Sequence, residues 1–198
     1  MTSRNFTGLL ELERALAELG DVLESRGHSY ELFVIGGAAF LIQEPDRSHA
    51  TGDLDIALQL IDGERHSPAP LPAPLAEAAN DVRRTLQLEP GWLNSAVAAA
   101  LGDVVPDGAV ERAKVLRFGG LTLLVADRTD LLKLKFRAAM RRGPKGDRHR
   151  ADIVAAGVTE AELESSADWY REQVVDPIAH EDRIATVIHQ IRGDLHGA

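Results

Sequence analysis

A glycine pair set between two apolar runs constrains this chain more than any other feature. Leu32 to Ile35 is apolar and partly β-branched, and it stops at Gly36-Gly37. A short run of that kind, bounded by glycine, predicts a buried strand that ends in a turn. Ala38 to Gln43 reads as a short helix, and a second strand follows in which Asp53 and Asp55 alternate with Leu54, Ile56 and Leu58. Alternation predicts both carboxylates on one face and the three apolar residues on the other. Glycine takes positive φ without strain and allows close approach of the backbone to another group. The helix that opens after the turn points its first N–H groups at whatever lies over it, a place suited to phosphate. Two carboxylates beside such a turn are the donors that a divalent cation escorting a nucleotide triphosphate requires.

The rest of the composition sets bounds. A chain of 198 residues with 44% hydrophobic and 27% charged residues suits one domain, or one domain with a helical appendage, and can bury a real core. The absence of cysteine excludes disulfides and cysteine-based ligands or nucleophiles. The start, MTSRNFTG, lacks a charged-then-apolar signal pattern, and the longest largely apolar run, Leu32 to Ile42, is too short to cross a bilayer. The expectation is a cytoplasmic protein with no membrane partner. The formal net charge of −9 disfavours a surface that coats polyanions. Residues 133 to 150 nevertheless hold eight of the 22 Lys and Arg and one of the 31 acids, a basic island that fits a local anion site.

In chain order, Leu9, Leu12, Leu16, Leu19 and Leu23 predict an amphipathic helix over 7–26, with Gly27 as its stop. Residues 61–74 hold four of the nine prolines and read as an exposed loop. Helices are expected over 75–88 and over Leu93 to Leu101, after the Pro90-Gly91 break. Trp92 is read first as a core residue. Val110 to Phe118 and Leu121 to Ala126, joined by Gly119-Gly120, predict a hairpin. A helix over 127–142, a segment over 147–156, a helix that opens at the Thr159–Glu162 capping box, and a last helix over 180–191 complete the chain.

The helix over 127–142 carries two kinds of cation. Lys133, Arg137 and Arg141 form an i, i+4 stripe, for which a solvated face is the simpler reading. Lys135 instead emerges among Leu131, Leu132, Ala138 and Ala139, and a lysine on an apolar face needs a partner. Farther on, His149 and Asp152 are three apart and share a helical face, while Asp147 stands where an N-cap or first-turn residue is expected.

Gly36-Gly37-Ala38-Ala39-Phe40 followed by Thr51-Gly52-Asp53-Leu54-Asp55-Ile56 resembles the signature of nucleotidyltransferases of the DNA polymerase β-like superfamily. The closest resemblance is to small bacterial proteins of the AbiEii-toxin-like group. Leu131-Leu132 with Lys135, then Asp147, His149 and Asp152, is similar to the later lysine and aspartate motifs of that group, and Trp92-Leu93-Asn94 resembles another of its segments. Two positions depart from the pattern: His49 stands where arginine is common, with Arg47 displaced, and neither later strand carries a third carboxylate. The resemblance implies an α/β (α+β) protein with a minimal nucleotidyltransferase fold, a small mixed sheet flanked by helices, and a helical C-terminal part. It implies a core over 1–155 and a helical appendage over 156–198. It further implies transfer of a nucleotide monophosphate from a nucleotide triphosphate to an acceptor hydroxyl. Asp53 and Asp55 would hold Mg²⁺ (or Mn²⁺), and Gly36, Gly37, Thr51, Lys135 and His149 would bind the nucleotide. Lys135 and Asp152 would join the two aspartates as catalytic residues. Both an RNA end, such as that of tRNA, and a protein hydroxyl fit as acceptor, with a cognate antitoxin as the partner implied. The rival expectations are a nucleotide-binding regulator on the same fold and a protein-interaction module.

Overall fold

Leu12, Ala15, Leu16, Leu19 and Leu23 are fully buried along one side of α1 (Leu9–Ser25), as their helical spacing requires. Each buried leucine is worth roughly 1.5–3 kcal/mol over an exposed one. The computed structural model describes residues 6–45, 51–101 and 104–196. The chain folds as an α/β protein around a mixed sheet whose strands are ordered β3-β2-β1-β6-β5, with β4 attached to β2. These strands are β1 (Tyr30–Ile35), β2 (Leu54–Ile61), β3 (Glu64–His66), β4 (Leu93–Asn94), β5 (Lys114–Phe118) and β6 (Leu121–Val125). Four short or medium helices complete this part, α2 (Gly36–Gln43), α3 (Ala73–Leu86), α4 (Ala96–Leu101) and α5 (Ala109–Arg112).

The register sets where Asp55 stands on the sheet. β1 runs antiparallel to β2 and parallel to β6. Phe33 faces Leu58 but Val34 faces Ile56, so Ala57 is an extra residue on β2 and the ladder closes on Ile35 opposite Asp55. Such a shift interrupts strict alternation, which is why Ile56, Ala57 and Leu58 are buried in succession. It also sets Asp55 beside the last residue of β1, at the mouth of the β1–α2 turn. Leu54, Ile56 and Leu58 are buried.

Several boundaries differ from the sequence reading. Asp53 lies one residue before β2 rather than within it. The proline-rich stretch begins as a strand, because Asp62 and Gly63 both take positive φ (52° and 81°) and fold β3 back on β2. That is the I′ hairpin geometry that an Asp-Gly pair supports, a local signal overshadowed by the four prolines around it. Leu93-Asn94 extends as β4 against Leu54 and Asp55 before the alanine-rich helix begins. Ala109–Arg112 is a helical turn, so the hairpin strand starts only at Lys114.

The sheet-bearing part up to Asp127 forms one compact unit. A second consists of Val104–Pro106 with α6 (Arg128–Ala139), α7 (Pro144–Ala155), α8 (Glu160–Gln173) and α9 (Pro177–His196). The compact units therefore divide after Asp127, whereas the sequence reading carries the first domain on to residue 155. The cause is packing, since α6 lies against α7 and α8, and α9 against α7 and α8. No helix among the described residues is long and apolar enough to cross a membrane.

Candidate functional site

The sheet unit brings together five of the residues singled out in the sequence. Gly36 has φ +80°, a conformation that side-chain-bearing residues rarely adopt. A Cβ there would collide with the Asp55 carboxylate, whose Cβ and Cγ lie 3.3 Å from its position. At Gly37 a Cβ would come within 2.9 Å of Thr51 Oγ1. The glycine pair thus lets the chain turn out of β1 and also leaves room for the side chains of Thr51 and Asp55. The N-cap position of α2 is Ile35, which has no polar side chain to cap the helix, so no residue of the kind that usually closes a helix start stands there.

Thr51 is buried and pairs with Phe6 through two backbone hydrogen bonds. Its hydroxyl donates to the Asp53 carbonyl at 3.0 Å, so it braces the turn that presents Asp53. The Asp53 side chain is exposed, while Asp55 is half-buried against the glycine turn. Asn94 is a residue that sequence reasoning passed over. Its Nδ2 donates to Asp53 Oδ2 and to the Gly91 carbonyl, each at 3.4 Å, and its Oδ1 accepts from Ala96 N–H at 3.1 Å. The β4 pairing sets Asn94 opposite Asp55. The signal was the Trp92-Leu93-Asn94 segment, whose asparagine gains its meaning only from that long-range pairing. Trp92 is a core residue: it is 2% exposed, donates to Ala79 O at 3.0 Å and meets Phe6 edge-on.

The helical unit brings together the other three. Lys135 is 14% exposed and its Nζ lies 2.5 Å from Asp152 Oδ2. The partner that an inward lysine needs is therefore supplied by α7, one helix on. His149 Nδ1 is 3.9 Å from the same carboxylate oxygen, beyond hydrogen-bond reach, and this buried nitrogen has no hydrogen-bond partner among the described residues. Burial holds the His149 pKa below its ordinary value; the charges of Lys135, Arg141 and Arg148 push the same way, and Asp152 opposes them. Asp147 stands in the first turn of α7, where its carboxylate pairs with Arg150 at 3.0 Å. That contact accounts for it without a site. His49 and Arg47 lie outside the described residues.

Among the described residues, no group of three or more His, Asp or Glu side chains is placed to hold a metal ion. Asp53 and Asp55 are still donors of the right kind. Magnesium is commonly held by one or two carboxylates, with substrate phosphates and water completing its shell. Comparison with protein-family models, with curated proteins and with solved structures gives no significant match.

Proposed function

We propose that this protein is a Mg²⁺-dependent nucleotidyltransferase that moves a nucleotide monophosphate from a nucleotide triphosphate to an acceptor hydroxyl. The observation that carries this reading is the contact between the glycine turn and Asp55: a positive-φ glycine opening a helix, pressed against a strand carboxylate, with a second carboxylate two residues earlier. A purely structural turn does not call for either carboxylate.

In this reading Asp53 and Asp55 would hold Mg²⁺ or Mn²⁺, which when bound supplies Lewis-acid polarisation of the phosphoryl oxygens. Gly36 and Gly37 would offer backbone N–H groups to the phosphates, with no side chain in the way. Thr51 keeps the Asp53 turn in place through its carbonyl, and Asn94 steadies the Asp53 carboxylate. The acceptor oxygen forms its bond to the α-phosphorus as the bond to the pyrophosphate oxygen breaks, and the acceptor proton passes to a base or to solvent. Lys135, Asp152 and His149 enter through the resemblance alone. The acceptor classes to test are an RNA end, such as that of tRNA, and a protein hydroxyl; a cognate antitoxin is the regulatory partner this reading implies.

A second reading is a nucleotide-binding regulator without turnover. The lack of a third metal-binding side chain among the described residues favours it. Incubation with each labelled nucleotide triphosphate, Mg²⁺, total tRNA and cell extract separates the two. Label in RNA or in protein supports transfer and names the acceptor class. Mg²⁺-dependent nucleotide binding with label in neither supports the regulator, and absence of both overturns the two readings together.

A further inference from the structure

The helical unit holds a surface pocket of about 250 Å³ lined by Arg137, Met140, Arg141, Tyr170, Gln173 and Val174. Arg137 and Arg141 are four apart on the α6 side and its C-terminal turn, so both face one place. Neither has a carboxylate partner among the described residues. Arg142 and Arg148, both exposed, also lack one among the described residues, whereas the five remaining arginines of the unit are engaged. Arg128 pairs with Glu162, Arg150 with Asp147 and Asp194, Arg171 with Asp168 and Glu181, and Arg192 with Glu160 and Glu164. Arg183 donates to the carbonyls of Ala139, Met140 and Arg141. Among the described residues no Asp or Glu lines this pocket.

The remaining wall matches a particular ligand chemistry. The Tyr170 ring is buried, its hydroxyl lies 3.4 Å from His180 Nδ1, and the charge of Arg137 acts on that hydroxyl. Gln173 adds a neutral amide, and Met140 and Val174 add apolar surface. Two guanidinium forks carry the charge and donor geometry for a phosphate dianion, which a single carboxylate would satisfy only in part. The volume is below that of pockets for drug-sized ligands, which begin at roughly 300 Å³, so the ligand is small. We propose that this pocket binds a small phosphomonoester, its phosphate between Arg137 and Arg141 and its organic part against Met140, Tyr170 and Val174.

The site stands apart from the nucleotide-transfer reading and can be tested without it. Phenyl phosphate is titrated into the full-length protein by calorimetry, with inorganic phosphate and benzoate as comparisons. The expected result is saturable one-to-one binding with a Kd below about 1 mM, weaker binding of inorganic phosphate, and binding of benzoate weaker by about tenfold or more. Arg137→Gln and Arg141→Gln each weaken phenyl phosphate binding by about tenfold, whereas Lys133→Gln, the same charge change on the same helix but off the pocket, leaves it within about twofold. Because the two arginines have no carboxylate partner to lose, both variants keep the wild-type melting temperature. Lack of saturation by about 10 mM in the wild type, an equal loss in Lys133→Gln, or full retention in both arginine variants overturns the proposal.

Discussion

At the scale of the residue, Gly36 and His149 show how a single position reports on its surroundings. Gly36 has a positive φ and a carboxylate pressed against it, whereas Gly63, with φ +81°, has open space within 4 Å of where a Cβ would stand. Gly63→Ala therefore costs backbone strain alone, about 1 kcal/mol, while Gly36→Ala adds the collision with Asp55 and costs about 2–4 kcal/mol. Urea denaturation of the two variants measures the difference; equal losses would mean that Asp55 does not press on the turn. Burial, and after it the Lys135 charge, lowers the pKa of His149. Its NMR titration midpoint is expected below 6.5 in the wild type and higher in Lys135→Met. A midpoint unmoved by that change would show that the Lys135 charge does not reach the ring.

At the scale of the element, α8 carries a prediction of its own. Thr159 accepts from Glu162 N–H at 3.3 Å while Glu162 accepts from Thr159 N–H at 2.8 Å, a reciprocal cap, and Thr159→Ala costs about 1 kcal/mol of stability. The guanidinium of Arg128, helped by the Thr159 backbone and hydroxyl, lowers the Glu162 pKa from 4.5 to about 2. A depressed carboxylate pKa stabilises the fold above the unfolded value, and this contribution is lost as pH falls from about 4.5 toward 2. Glu162→Gln should lower stability at neutral pH and flatten the acid-side decline, which urea midpoints across that range would record. This cap was legible because four consecutive residues hold all of its information. The helix spacing of α1 and the Gly119-Gly120 hairpin were legible for the same reason. Other elements were not. β4 is two residues long and exists only by pairing with β2, and the Asp62-Gly63 turn was masked by the prolines after it. Asn94 and Asp53 meet across 41 residues of chain, a contact that no local pattern announces.

At the scale of the whole molecule, the chain divides into two units, and each gathers its own share of the marked residues. Gly36, Gly37, Thr51, Asp53 and Asp55 were legible as one group because a strand, a turn, a helix and a strand follow one another directly. The Ala57 register shift that brings Asp55 to the turn was not, since a ladder irregularity depends on two strands at once. Lys135 was recognisable as a cation in need of a partner, and the partner proved to be Asp152 of the same unit. Exchanging Lys135 for methionine leaves Asp152 without its partner, but that carboxylate is 41% exposed, so water takes the place of the ammonium and no charge is left buried alone. Lys135→Met is therefore expected to melt within a few degrees of the wild type. A loss of stability near 3 kcal/mol or more would mark the pair as a structural necessity.

Nucleotide transfer, as proposed, depends on Asp55 held against the glycine turn. Its most direct test compares wild type and Asp55→Asn, an isosteric change that removes the charge and keeps the space, in Mg²⁺-dependent transfer of label from a nucleotide triphosphate. The expected result is transfer by the wild type and a fall of at least about a hundredfold in the variant, roughly 2.7 kcal/mol in the barrier. Full transfer by Asp55→Asn, with its Mg²⁺-dependent nucleotide binding intact, would contradict that role.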